Sequence, residues 1–133
     1  MTEWLTHPAV LLMVGGGAGS NARFWFGRWV AEAQLRYAGG VSFPWGTFLI
    51  NVSGSAILGF LAAYCLGHAD PARRVWYVLL GTGFCGGFTT FSTFSVETLD
   101  MIRDERLGAA LAYVLGSVLA GLGAAALTDR LAR

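Results

Sequence analysis

The sequence predicts an all-α integral membrane protein, and three observations carry that prediction. Apolar residues make up 55% of the 133-residue chain and charged residues only 13%, about half the share of an ordinary soluble domain. Mean hydropathy is +0.56. The charges are also spaced so that four uncharged runs remain, over residues 4–22, 37–69, 75–96 and 107–128. Each comes close to or exceeds the roughly 20 apolar residues that an α-helix needs to cross a bilayer. Four spans leave little sequence outside them, so residues 1–133 read as a single membrane domain.

Span 1 is expected over residues 9–29. Residues 1–6 carry no basic residue, so the first apolar run reads as a retained span and not as a cleaved signal peptide. Gly15 and Gly19 form a GxxxG pair, which lets another helix approach closely. A phosphate loop would need a following Lys-Ser/Thr pair, and none follows. Arg23, near the far end, either snorkels to the interface or adds positive potential at a pore mouth. Residues 30–45 read as an interfacial connector, with Trp29, Tyr37 and Trp45 at headgroup level.

Span 2 is expected over residues 46–67. Thr47, Asn51 and Ser55 recur every four residues and therefore share one helix face. A buried amide of this kind either bonds to a neighbouring helix or lines a pathway, and a stripe that begins at the mouth favours the pathway. Asp70-Pro71 then marks a turn or a helix start.

Span 3 carries the most informative stretch, residues 81–95. Gly81, Gly83, Gly86 and Gly87 weaken a helix inside a run apolar enough to span. Non-helical backbone at membrane depth survives only when buried in protein or lining a wet cavity, so a break with a purpose competes here with a glycine face for close packing. After it, Phe91 and Phe94 share a face if the helix resumes. Glu97 and Asp100 lead out to a charged, solvated helix end; Glu97, nearest the membrane, either belongs to that end or lines a vestibule. Span 4, residues 107–127, is rich in Ala and Gly. Tyr113, Ser117 and Gly121 follow one another at four-residue intervals on one face.

Several chemistries are excluded. No span has a carboxylate, lysine or histidine near its centre, which argues against a proton-coupled pump. A dual-topology cation exporter would need an embedded carboxylate, and residues 4–22 hold none. No His or Lys lies within helical reach of the Ser, Thr and Tyr hydroxyls to activate them, so an enzyme is not expected. His7 and His68 lie at membrane edges and form no ligand set. Cys65 and Cys85 lack CxxC spacing and read as small packing residues without a disulfide. No nucleic-acid partner is expected.

What remains is a set of donors: the Asn51 amide, the Ser, Thr and Tyr113 hydroxyls, N–H groups at a helix break, and positive ring edges. These suit an anion. The arginines add a statement about orientation. Arg73, Arg74, Arg130 and Arg133 fall on the side of the termini, and Arg28, Arg36, Arg103 and Arg106 on the other. The positive-inside rule orients a chain by its Lys/Arg excess, and this chain has none, or one if Arg23 is counted. Both insertions are therefore open to it, and with them an antiparallel homodimer. From the residues alone the expectation is an anion pathway in a small homodimer, with the anion unidentified.

The motifs GGGAGSNARF (residues 15–24), GTFLINVSGSAILG (46–59) and above all GTGFCGGFTTFSTFS (81–95) resemble the small bacterial fluoride channels called Fluc or CrcB. The resemblance covers all four spans. It implies four transmembrane helices per subunit with a broken third helix, an antiparallel dual-topology homodimer and two fluoride pores. It also implies passive export of fluoride across the bacterial inner membrane. Position by position it makes Phe91 and Phe94 the pore phenylalanines and Asn51 the pore asparagine. Thr47 falls on the same track, Tyr113 and Ser117 on the span 4 track, and Arg23 near the entrance. Ser92 and Thr93 lie within the motif. At the next span 4 hydroxyl position this chain has Gly121. Gly86 and Thr89 match the break, whose backbone carbonyls, from two subunits, hold a structural sodium ion.

Overall fold

The computed structural model describes residues 4–38, 43–67 and 70–133, and every regular element among them is helical. Helix α1 spans Pro8–Ala38. Pro8 opens it, a position where the missing N–H is no loss, and the His7 ring nitrogen accepts the Ala9 N–H at 3.3 Å. The helix does not stop at Trp29. It continues through the residues expected to form an interfacial connector, because Arg28 and Glu32 pair at 3.0 Å one turn apart and Gln34 reaches the Phe43 carbonyl at 2.8 Å. His68 and residues 39–42 lie outside the described residues, so the expectation for His68 does too.

Helix α2 (Trp45–Leu66) and helix α6 (Leu107–Ala132) match the second and fourth expected spans closely. At 1.5 Å per residue both exceed the roughly 30 Å of a hydrocarbon core. They are the two described helices long and apolar enough to cross a membrane. Only 22% and 11% of their apolar windows are buried, so they are not the core helices of a soluble protein.

Between them lies a single rod with two irregularities. Helix α3 (Pro71–Trp76) starts at Asp70, whose side chain accepts the Ala72 N–H at 2.9 Å, so the expected helix start is realised as an N-cap. It runs into a π-helical segment, Tyr77–Cys85, and then a short helix α4, Gly86–Phe88. The rod breaks at Thr89 (φ −79°, ψ 160°) and Thr90 (φ −151°, ψ 119°), both extended, and resumes as helix α5, Phe91–Arg103. The break expected over residues 86–89 begins only at Thr89, because the glycine-rich helix holds through Phe88. Over the glycines the ladder loosens to a wider π turn, a rare form that is frequently found at functional sites. Away from water, a released backbone group has no partner, so loosening is the cheaper response.

The glycines serve close packing, as their GxxxG spacing suggests. A Cβ on Gly15 would overlap the Leu79 carbonyl oxygen, and one on Gly19 would overlap that of Phe84. The α1 backbone thus lies directly on the π segment. These contacts advance in the same sense along both, so α1 and the rod are parallel. Gly59 packs on Ala125 and Gly121 on Ser55, so α2 and α6 are parallel as well. Gly27 faces both Gly46 and Ile50, at the C-terminal part of α1 and the start of α2, which sets those two antiparallel. A connector of Asp104–Arg106, with Glu105 at φ 58°, turns α5 back into α6. The rods alternate in direction, so the start of α1 and the end of α6 lie at one end of the bundle.

The interior is narrow. Tyr113, Cys65, Cys85 and Ile50 are buried, while Trp25, Trp29, Leu119 and Leu131 face outward. Both cysteines are free thiols.

Candidate functional site

The polar residues converge on the break. Extended backbone at Thr89 and Thr90 leaves peptide groups that no helix satisfies, and two neighbouring helices supply partners. Asn51 of α2 clamps Thr90 from both sides, donating from Nδ2 to the carbonyl at 3.1 Å and accepting the N–H on Oδ1 at 2.8 Å. The amide has a second N–H beyond this pairing. Arg23 of α1 donates to the Thr89 carbonyl at 3.1 Å. Its charge sits against the negative C-terminal end of the helix that stops at Phe88, and its side chain also lines the larger cavity.

Thr90 also starts α5. Its Oγ1 accepts the Thr93 N–H at 3.2 Å and donates to Thr93 Oγ1 at 3.0 Å, with Ser92 Oγ at 3.3 Å. The hydroxyl run in this motif is thus in part an N-cap. Thr89 turns its own hydroxyl back to the Cys85 carbonyl at 2.8 Å. In an unbroken α-helix the Thr90 N–H would return to the Gly86 carbonyl; Asn51 takes it instead. Gly86 is exposed, and a Cβ there would meet nothing within 4 Å. A backbone carbonyl is a hard oxygen of the kind a cation such as sodium takes. The Thr89 carbonyl shares its lone pairs with Arg23.

Phe91 and Phe94 lie on the first turn of α5, with ring centroids 6.0 Å apart. Phe94 packs on the Tyr113 ring at 4.9 Å, whereas Phe91 is 80% exposed. One ring is thus fixed by packing and the other is exposed.

Glu97 has a larger part than its expected place in a solvated helix end. Its carboxylate accepts from Thr47 Oγ1 at 2.8 Å and from Tyr113 OH at 2.7 Å. No carboxylate is expected near the centre of a span; this one, nearest the membrane at the end of span 3, joins α2, α5 and α6. The Thr47 and Tyr113 donors, expected on the open track, are committed to it. The available signal was its spacing: four residues after Thr93 and three after Phe94, it shares their face.

The two polar stripes face each other level by level. Thr47 and Tyr113 meet through Glu97, and Ser55 lies opposite Gly121. The same offset puts Ser117 level with Asn51. Ser117 Oγ is a buried side-chain oxygen with no hydrogen-bond partner among the described residues. In a native structure such an atom calls for an explanation.

Cavities lie on both sides of this level. One of about 700 Å³ is lined by Arg23, Thr47, Thr90, Thr93, Glu97 and Arg106. Another of about 240 Å³ is lined by Asn51, Ser55, Thr89, Thr90 and Phe91. Thr90, held by Asn51, borders both. The arrangement is a partition of satisfied backbone between two cavities, with spare donors beside it.

The sequence also matches known proteins over most of its length. Residues 10–128 match the model of the family described as CrcB-like protein, Camphor Resistance (CrcB). The chain is 42% identical to the fluoride-specific ion channel FluC of Oceanobacillus iheyensis, over 92% of this chain and 89% of that protein. It is 44% identical to the fluoride-specific ion channel FluC of Gloeobacter violaceus, over 90% and 91%. To the fluoride-specific ion channel FluC 2 of Rhodococcus jostii it is 43% identical, over 92% and 96%.

Proposed function

Because the chain belongs to the CrcB-like protein family, we propose that it is a fluoride-selective channel that lets fluoride leave the cell passively. The observation that carries this is the unpartnered Ser117 hydroxyl, buried level with the Asn51–Thr90 clamp at a helix break. A small, strongly hydrated anion crossing an apolar bundle must exchange water for several donors along a narrow path. Ser117, the second Asn51 N–H and the positive edges of Phe91 and Phe94 supply such donors. None is a fixed central cation, which would hold the anion too tightly to conduct. Arg23 raises the local positive potential at the larger cavity, Thr93 lines it, and Ser92 stands at the start of α5. Glu97 holds Thr47 and Tyr113 in place and thereby frames the passage.

The working unit on this proposal is an antiparallel homodimer with four spans per subunit and two pores, in the bacterial inner membrane. The balanced arginines, the outward-facing aromatic and aliphatic side chains and the exposed Phe91 ring support it. The Gly86 and Thr89 carbonyls of two copies would hold a structural sodium ion, whose charge ties the two breaks together. Fluoride efflux from liposomes containing only this protein is the test, compared with chloride efflux from the same vesicles. Fluoride flux well above that of empty vesicles is expected. Properly folded protein with no such flux would sink the proposal.

A further inference from the structure

We propose that Ser55, which lines the smaller cavity and packs against Gly121 of α6, is a third donor level of the pathway. This rests on the channel function proposed above.

The parallel packing of α2 on α6 matches their stripes level by level. Thr47 meets Tyr113 through Glu97, Asn51 lies level with Ser117, and Ser55 faces Gly121. On the first two levels both helices bring a polar side chain. On the third only α2 does, and the glycine leaves its side open. A Cβ built on Gly121 would come 3.4 Å from Ser55 Oγ and 3.9 Å from Ser55 Cβ. A side chain at residue 121 would thus sit in van der Waals contact with that hydroxyl, which the glycine leaves uncovered on the α6 side.

Ser55 also lines the 240 Å³ cavity together with Asn51, Thr90 and Phe91, so its hydroxyl stands beside the residues that bound the partition. At rest it donates to the Asn51 carbonyl one turn back, at 2.7 Å. Such back-bonding is a local arrangement that a hydroxyl can leave by rotation. An anion that has passed the Asn51 amide can thus take the Ser55 proton donor next, without the chain moving. The Asn51 carbonyl and the anion compete for one O–H, which keeps the level binding weakly enough to release its guest.

The test is fluoride efflux from liposomes containing the full-length dimer, with dimer integrity checked by size exclusion. Ser55→Ala is expected to slow efflux about tenfold. Ser55→Cys, which keeps the shape with a weaker donor, should slow it too, and Ser55→Thr should preserve it. The decisive variant moves the hydroxyl across the gap: Ser55→Ala with Gly121→Ser should recover most of the rate, whereas Ser55→Ala with Gly121→Ala should not. Wild-type rates in both Ser55→Ala and Ser55→Cys overturn the inference and leave the channel function standing. Equal recovery by the two Gly121 double variants overturns it as well, because packing alone would then explain the effect. Absence of fluoride flux through the wild type removes the function on which the inference rests.

Discussion

Asn51 holds the extended Thr90 peptide on both sides and on the proposed function turns its remaining N–H to the anion. Asn51→Ala should therefore fail twice. It leaves a buried peptide unpaired, at about 1–3 kcal/mol, and removes a donor, so fluoride efflux should fall by roughly tenfold or more. Asn51→Asp tests the second part alone. It retains an acceptor for the Thr90 N–H but adds negative charge, so flux should fall further than the dimer's thermal stability does. Phe94 offers a cleaner probe, since its ring is seated on Tyr113. Phe94→Ile should slow flux strongly in vesicles while size exclusion still gives a dimer; unchanged flux would count against a ring-edge contact. The residues themselves were legible from spacing and motif. The pairings were not: Glu97, which binds Thr47 and Tyr113, reads in sequence as the start of a charged helix end.

At the scale of elements, the broken rod shows how composition can name a feature without fixing its bounds. Glycine content marks residues 81–87 as poor helix, yet these residues stay helical against α1 and the unwinding falls on Thr89 and Thr90. Two forces decide this. Bare glycine backbone lets α1 approach closely enough to hold the π segment, and threonine side chains can cap both ends of a break. Gly19→Val would drive a side chain into the Phe84 carbonyl. It should lower the dimer's thermal midpoint and its yield in detergent, by several kcal/mol in stability terms, since overpacking alone typically costs about 1–3 kcal/mol. Thr90→Val removes the α5 cap, worth about 1 kcal/mol. Its expected signature is a smaller loss of thermal stability together with reduced flux, because the cap also aims Phe91 and Phe94.

For the whole molecule, the outward apolar side chains and the alternating helix directions describe a bundle made for lipid on most faces. The arginine balance leaves orientation open, so adding two arginines to the Asp104–Arg106 connector should bias insertion one way. On the proposed antiparallel assembly, that variant alone should support little flux, and co-expression with one carrying two extra arginines at the C-terminus should restore it. Full flux from either variant alone would argue for a parallel assembly. Replacing sodium with a large organic cation should weaken flux or dissociate the proposed dimer, because the Gly86 and Thr89 carbonyls would lose their proposed ion. Indifference of both flux and dimer to sodium would count against that site.

The sequence by itself determined that this is a helical membrane protein, where its long apolar helices run, and which polar residues share a face. Those properties depend on composition and on periodicity along a single chain, and both can be read without knowing what packs where. Only the tertiary structure decided that α1 continues to Ala38, that the break lies at Thr89–Thr90, and that Glu97 sits among the pathway residues. It also decided that Ser55 meets Gly121. Each of these depends on which groups two helices bring within hydrogen-bond or van der Waals distance, and that is set by the offset between helices, a quantity no one-dimensional pattern contains.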